Sequence, residues 1–142
     1  MKSYSLFQLL FAVFICSPIT QLHAADDKAA REACITETKL TAADANLVRG
    51  AAVASKLIQN DSEALKCFQL CYYKELGLID VAGKTHAAKT LEYMSQVSGI
   101  TDKTKLAGAL GSCESVKGTS QCDRLYQFEK CALTKLGVST YY

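Results

Sequence analysis

The sequence predicts an all-α fold, for three reasons. After the first 24 residues, apolar residues recur every three or four positions, as on one face of a helix. In the same stretch no segment alternates with period two for long enough to indicate a sheet, and proline does not occur. Glycines fall mostly between the apolar stretches, where helices commonly end. With 142 residues, the chain is long enough for one domain with its own core.

The first 24 residues have the layout of a secretory signal peptide. An early lysine precedes an almost uninterrupted apolar run over residues 6–15, and a helix-breaking proline follows. The run is far shorter than the roughly 20 residues that a membrane-spanning helix needs. Leu22 and Ala24 occupy the positions that a signal peptidase reads. We expect cleavage after Ala24, which leaves one secreted, extracellular domain over residues 25–142.

The first three predicted helices occupy the first half of this domain. One spans about residues 26–40, and the sequence TAAD at residues 41–44 resembles a capping box, with Asp in place of Glu, that begins a second helix through residue 52. A third helix begins between residues 60 and 62 and ends at Gly77, a residue typical of helix C-termini. Its apolar stripe comprises Ala64, Leu65, Phe68, Tyr72 and Leu76.

Three further helices are predicted in the second half of the chain. The fourth spans about residues 85–97 and carries apolar residues at helical spacing. Thr101 or Asp102 caps a fifth helix, which runs to Cys113. The sequence GTSQ separates it from a sixth helix over about residues 120–136. Together these elements predict a compact bundle of six helices.

Cysteine is the most informative residue type in this sequence. The leader contains one of the seven cysteines, Cys16, so its removal leaves an even set of six. An even set in an exported protein predicts three disulfides, although the count alone leaves the pairing open. The six are Cys34, Cys67, Cys71, Cys113, Cys122 and Cys131.

Cys67 and Cys71 lie one turn apart on the same face of the predicted third helix. A zinc site would need a second close pair, whereas Cys113, Cys122 and Cys131 follow one another at intervals of nine residues. A redox pair would need Cys-x-x-Cys at a helix N-terminus, but here three residues intervene within a helix. We therefore predict that each thiol bonds a different helix, and that the protein holds neither a metal nor another cofactor.

The cysteine spacing resembles a known signature. A first cysteine, Cys-x3-Cys, a gap of 41 residues and Cys-x8-Cys-x8-Cys are similar to the six-cysteine pattern of the insect pheromone-binding and general odorant-binding proteins. The segments DSEALKCFQLCYYKELGLID and CESVKGTSQCDRLYQFEKCALTKLG resemble the third and sixth helices of that family. The resemblance extends over nearly the whole mature chain.

What the resemblance implies is a six-helix bundle around an apolar cavity. It also implies the pairing, which on this chain is Cys34–Cys71, Cys67–Cys122 and Cys113–Cys131. Each bridge destabilises the unfolded chain by roughly 3 to 4 kcal/mol. An empty cavity costs about 24 cal/mol per Å³. We expect the stabilisation from the three disulfides to offset this cost of a hollow core.

The function that follows is reversible binding of a small hydrophobic molecule, odorant- or pheromone-like, which the protein carries through aqueous fluid without chemistry on it. Tyr126 could orient an alcohol, aldehyde or ester, or its hydroxyl could simply reach solvent. By resemblance, Leu91, Leu106 and Leu110 occupy positions that often line the cavity, and for every candidate the alternative is plain core packing. The candidate ligand-binding residues are Phe68, Tyr72, Leu76, Leu91, Met94, Leu106, Leu110, Tyr126, Phe128 and Tyr141.

Several other classes of protein fit the sequence less well. A secreted phospholipase needs a His-Asp pair, whereas His86, the single histidine after the leader, is followed by two alanines and is predicted to lie on the surface at a helix start. We expect no catalytic Ser-His-Asp or Cys-His site, since the cysteines are expected to form disulfides and His86 has no obvious partner. Plant-type lipid-transfer proteins contain Cys-Cys and Cys-x-Cys steps, which do not occur here. We therefore predict that the protein is not an enzyme.

Two alternatives to an olfactory carrier stay open. One is a secreted non-olfactory member of the same scaffold, a scavenger or carrier in saliva, venom, haemolymph or reproductive fluid. The other is a toxin or signalling protein that binds a macromolecule with its surface. An olfactory receptor is a further candidate partner, and we expect a monomer or weak dimer. Without the leader the net charge is close to +1, which predicts neither nucleic-acid binding nor membrane insertion.

The sequence also suggests a role for the end of the chain and a modification site at one asparagine. Gly137 is expected to end the sixth helix, and the six residues GVSTYY that follow the helix can reach across the mouth of a cavity. Val138, Tyr141 and Tyr142 have the apolar area for a lid, and the alternative is a frayed terminus. The sequence NDS makes Asn60 a possible glycosylation acceptor or an unmodified helix cap.

Overall fold

The computed structural model describes residues 19–51 and 61–138, with side chains from Asp26 onward. Within these ranges the chain forms six α-helices, and the one β feature is an isolated bridge between Ile79 and Thr85. The all-α prediction is therefore confirmed. The helices are α1 (Ile19–Glu37), α2 (Ala42–Gly50), α3 (Glu63–Glu75), α4 (Ala87–Ser98), α5 (Lys103–Cys113) and α6 (Gln121–Leu136).

Local chemistry explains the helix starts. The Thr41 hydroxyl accepts a hydrogen bond from the backbone N–H of Asp44 at 3.1 Å, which is the predicted cap of α2. In the same way, the Asp102 carboxylate accepts from Lys105 N at 3.0 Å before α5, and the Ser120 hydroxyl accepts from Asp123 N at 3.0 Å before α6. Each cap gives a partner to a backbone N–H that has none inside the helix.

Left-handed residues follow four of the six described helices, and one of them is Gly99 (φ +68°) after α4. Gly77 (φ +66°) follows α3 and Gly137 (φ +67°) follows α6, as predicted. After α1 the left-handed residue is Lys39 (φ 52°), and Leu40 N–H bonds back to Ile35 O at 3.2 Å. The prediction that this helix runs to residue 40 is therefore wrong by three residues, because a lysine took the role that glycine usually fills.

The helix α1 also begins earlier than predicted, at Ile19 instead of residue 26. The segment ITQLHAA contains neither glycine nor proline, so nothing in it stops a helix. The predicted signal peptide covers residues 1–24, of which residues 1–18 lie outside the described part of the chain. No helix in the described part is both long enough and apolar enough to cross a membrane.

Helix α6 is the centre of the bundle, since it packs against both α3 and α5. Helix α3 packs in turn on α1, and α4 packs on α5. The buried apolar side chains form two clusters. The first joins α1, α2 and α3 and includes Leu125 of α6. The second joins α4, α5 and α6, and the half-buried Tyr93 packs against both clusters.

Three disulfides fasten these helices together. Cys34–Cys71 joins α1 to α3, Cys67–Cys122 joins α3 to α6, and Cys113–Cys131 joins α5 to α6. These are the pairs that the family resemblance implies. Cys67 and Cys71 thus bond two different helices, and α5, which forms one wall of the site described next, is covalently attached to α6.

Candidate ligand-binding site

A cavity of about 330 Å³ lies between α4, α5 and the middle of α6. Most of its wall is apolar, and we call it the apolar cavity. The residues that line it are Thr85, Ala87, Ala88, Thr90, Leu91, Ala107, Leu110, Gly111, Glu114 and Phe128. This mixture of a mainly apolar wall and a few polar groups is typical of small-molecule sites.

Small residues at helical spacing create this space. On α5, Ala107 and Gly111 are four residues apart and lie on the cavity face together with Leu110. On α4, Ala87 and Ala88 lie one turn before Leu91. Where larger side chains would fill the gap between two packed helices, these residues leave it open, and the Cys113–Cys131 bridge keeps α5 in place beside it.

A second cavity of about 420 Å³ adjoins the first. The two share Thr85, Ala87, Glu114 and Phe128 as wall residues, so they meet at the beginning of α4. We call the second one the basic groove, because Lys84 and Arg124 lie along it. Its other wall residues are Leu70, Ile79, Gly83, Val116, Gln121 and Leu125. The combined site therefore has an apolar end and a polar end.

One polar atom in the apolar wall lacks a partner. Thr90 is 7% exposed, and its hydroxyl forms no hydrogen bond within the described ranges. A buried hydroxyl without a partner is unusual in proteins. It is therefore a polar atom in this wall that a ligand oxygen or a water molecule could satisfy.

A buried acid on α6 bonds to α3. Glu129 follows the cavity residue Phe128, is 2% exposed and accepts a hydrogen bond from the Tyr73 hydroxyl at 2.9 Å. Burial raises the pKa of Glu129 to about 7, and the hydrogen bond from Tyr73 opposes part of that rise. Its second carboxylate oxygen has no partner among the described residues.

The structure brings three of the predicted binding residues together at the cavity: Leu91, Leu110 and Phe128. Met94, Leu106 and Tyr126 are buried in the second core cluster instead. The Tyr126 ring lies beneath the Lys66 ammonium, whose nitrogen is 4.9 Å from the ring centroid. Ligand contact by any of these residues stays a prediction.

The remaining predicted binding residues lie farther from the cavity wall or outside the described part. Phe68 and Tyr72 are buried in the first core cluster, where their rings stack with centroids 6.0 Å apart. Leu76 is half-buried and packs against the same cluster. Tyr141 lies outside the described residues, although Val138, at the start of the tail, packs against the second cluster.

Sequence reasoning missed the small and polar wall residues. It selected large apolar side chains, whereas Ala87, Ala107 and Gly111 form much of the wall and Arg124 lies at the polar end. A signal was present, since the sequence LAGALG places small residues on one face of α5. His86 was read correctly, because it is exposed and occupies the N-cap position of α4.

Comparison with known proteins agrees with the cysteine pattern and the fold. The chain is 32% identical over 101 residues to general odorant-binding protein 56a of Drosophila melanogaster, a match that covers 71% of this chain and 66% of the relative. It is 31% identical over 85 residues to general odorant-binding protein 69a of the same fly, covering 60% of this chain and 54% of the relative. In both cases the chain spans less than two thirds of the relative's length.

A solved structure shares the fold. It is described as the fatty acid binding protein OBP56a from the oral disk of the blowfly Phormia regina. It superposes with a TM-score of 0.66 at 24% sequence identity, covering 86% of this chain and 98% of the blowfly chain. Residues 18–135 of this chain, nearly the whole helical part, match the PBP/GOBP family. The chain therefore belongs to the PBP/GOBP family of pheromone-binding and general odorant-binding proteins.

Proposed function

We propose that this protein is a secreted carrier that reversibly binds a small hydrophobic molecule in the apolar cavity and transports it through aqueous fluid. The observation that carries the proposal is the apolar cavity itself, a space of about 330 Å³ walled by Leu91, Leu110 and Phe128 in a chain of the PBP/GOBP family. Burying a ligand's apolar surface there contributes about 25 cal/mol per Å² to binding.

The proposed activity is binding without a chemical reaction. The six cysteines of the described chain are in disulfides, so none of them is a free nucleophile. His86 is exposed at the start of α4 and has no side-chain hydrogen bond in the described ranges. These features support a carrier over a hydrolase.

Two physiological settings fit a carrier of this kind. Family membership supports transport of odorant- or pheromone-like molecules, with an olfactory receptor as a further partner. The blowfly neighbour is described as a fatty acid binding protein of the oral disk, and this favours a second candidate, a carrier of lipids outside olfaction. The leader sequence supports secretion in either setting. A monomer or weak dimer remains our prediction for the assembly.

The proposal is tested by titration with N-phenyl-1-naphthylamine, a neutral apolar dye that fluoresces when it leaves water. A carrier predicts saturable binding of one dye per chain and displacement of the dye by a long-chain alcohol. Protein unfolded by reduction and urea is the control, because it has no cavity. A protein that binds a macromolecule with its surface predicts no saturable signal, and that result would exclude the carrier.

A further inference from the structure

Two polar side chains buried at the interface between α3 and α6 carry atoms that lack hydrogen-bond partners. Gln69 of α3 is 0% exposed, and neither its amide oxygen nor its amide nitrogen bonds to any described residue. The Oε2 atom of Glu129 on α6 is likewise without a partner among the described residues. An amide group has two donors and an acceptor, and such groups are rarely buried with none of them satisfied. The pair therefore indicates a partner that belongs to neither side chain.

The packing of α3 on α6 brings these side chains to the same contact. The Lys66 ammonium lies 2.9 Å from Asp123 Oδ1, and the Tyr73 hydroxyl donates to Glu129 Oε1 at 2.9 Å. Contacts therefore advance in the same direction along both helices. Gln69 lies three residues after Lys66 and four before Tyr73, so these three lie on one face of α3. The Gln69 amide thus packs against α6 one turn before the hydrogen bond between Tyr73 and Glu129.

The spacing along this face suits one small bridging molecule. Side chains one turn apart on a helix are about 5–6 Å apart, and Gln69 and Glu129 form no direct hydrogen bond. A water molecule with two hydrogen bonds of about 2.8 Å spans a gap of up to about 5.6 Å between two polar atoms. Buried waters in proteins typically form about three hydrogen bonds. The Gln69 amide, Glu129 Oε2 and a lone pair on the Tyr73 hydroxyl provide that number of bonding groups.

The polar site between α3 and α6 is enclosed and separate from the ligand-binding site. Glu129 is 2% exposed and Tyr73 is 4% exposed. None of Gln69, Tyr73 and Glu129 lines the apolar cavity or the basic groove. An enclosed polar site suits water, because water donates and accepts hydrogen bonds within a very small volume.

From this arrangement we propose that Gln69 and Glu129 hold at least one resident water molecule between α3 and α6. The Gln69 amide nitrogen donates to the water, and the water bonds to Glu129 Oε2. Because water both donates and accepts, the bond to Glu129 forms whether the carboxyl group is ionised or protonated. The water is a fixed part of the core, and it joins two helices that the Cys67–Cys122 disulfide also joins.

Diffraction from crystals of the native protein at high resolution tests the proposal directly. We expect an ordered water within about 3.2 Å of both the Gln69 amide nitrogen and Glu129 Oε2. A native structure in which the Gln69 amide bonds directly to Glu129, with no water between them, would overturn the proposal. A structure in which both side chains bond to other protein groups instead would overturn it as well.

A measurement in solution assigns the water to its ligands. Oxygen-17 relaxation dispersion of the solvent counts the water molecules that stay in a protein for longer than the protein takes to tumble. Gln69→Met removes both amide atoms and keeps an unbranched side chain of similar length, so we expect the loss of at least one long-lived water. Gln96→Met makes the same substitution at an exposed position of α4, and we expect it to keep the native count.

The outcomes decide the inference without reference to ligand binding. A native count in Gln69→Met, or an equal loss in Gln96→Met, would overturn the proposal. Loss of a long-lived water in Gln69→Met alone, together with the ordered water in the native crystal, supports it. If Gln69→Met fails to fold, the native crystal structure decides by itself. Absence of saturable dye binding would reject the carrier function and leave this inference in place.

Discussion

At the scale of single residues, two acidic side chains of α6 bond to α3, and their pKa values shift in opposite directions. A hydrogen bond from the backbone of Thr119, followed by the Lys66 ammonium 2.9 Å away, lowers the pKa of Asp123 to about 2. Burial raises the pKa of Glu129 to about 7. Asp123 therefore stabilises the fold when ionised, and Glu129 stabilises it when protonated.

Glu129 should make the protein less stable as the pH rises. Its pKa is about 7 in the folded state and near 4.5 in the unfolded chain. Its stabilising contribution to the free energy of unfolding is therefore complete below pH 4.5 and is lost as the pH rises through 7. Glu129→Gln keeps an oxygen for Tyr73 and cannot ionise. Between pH 4.5 and pH 8, the free energy of unfolding of this variant, measured in urea, should rise by about 3 kcal/mol relative to that of the native protein. A difference that stays constant with pH would show that Glu129 is not buried as described.

Gly118 should tolerate no side chain. A Cβ atom at this position would lie 2.6 Å from the Arg124 Cα and 2.7 Å from the backbone carbon of Asp123, and backbone atoms cannot move aside cheaply. We expect Gly118→Ala to destabilise the fold by about 2 kcal/mol or more in thermal or urea unfolding. Gly108→Ala is the control, because Gly108 is inside α5 with nothing within 4 Å, and it should stabilise by about 0.5 to 1 kcal/mol.

At the scale of helices, sequence reasoning predicted ends more reliably than inner surfaces. Thr41, Asp102 and Ser120 cap helices, and Gly77 ends one, because each acts within three or four residues of itself. Lys39 escaped prediction, since a lysine rarely adopts a left-handed conformation.

The candidate site was only partly predictable for a related reason. Leu91, Leu110 and Phe128 were selected as large apolar residues on inward faces, and they line the cavity. The same rule selected Phe68 and Tyr72, which pack in the first core cluster. Which inward side chains meet empty space depends on the distances between helices, and these are set by tertiary packing that a single sequence does not display.

The disulfide pairing is a prediction at this scale. Proteolysis of the non-reduced protein followed by mass spectrometry should find peptides joined through Cys34–Cys71, Cys67–Cys122 and Cys113–Cys131, and no free thiol. Cys67 and Cys71 lie one turn apart on α3 and bond helices on either side of it. Detection of a Cys67–Cys71 bridge would contradict the account.

At the scale of the whole molecule, the two core clusters have different roles. The first is filled by stacked aromatic rings, including Phe68 and Tyr72, and by the helices α1, α2 and α3. The second is built around α5 and α6 and borders the apolar cavity, since Leu91 and Leu110 pack against it and also line the cavity. The apolar cavity thus borders the second cluster, whereas Leu70, Ile79 and Leu125 of the first cluster line the adjoining basic groove.

The C-terminal tail is a candidate lid over the apolar cavity. Val138 is half-buried against the second cluster, and its N–H bonds to Leu133 O at 3.1 Å, while residues 139–142 lie outside the described part. If the tail covers the cavity, deleting residues 139–142 should speed dye release in stopped-flow measurements with the helical circular dichroism unchanged. Deletion of residues 138–142 should speed it further, because Val138 is lost as well. An unchanged release rate in both truncations would leave the tail without a role in binding.

The central claim is that the ligand occupies the apolar cavity, and the dissociation constant of the dye in Leu110→Trp tests it most directly. Leu110 is half-buried in the cavity wall, so a Trp side chain at this position takes up space that the ligand needs. Keeping about 60 Å² of dye surface in water is enough to weaken binding about tenfold. Lys105→Trp places the same ring at an exposed position of α5 that lines neither cavity and serves as the control. We predict at least about tenfold weaker binding in Leu110→Trp, native affinity in Lys105→Trp and native helical content in both; native affinity in Leu110→Trp would contradict the account.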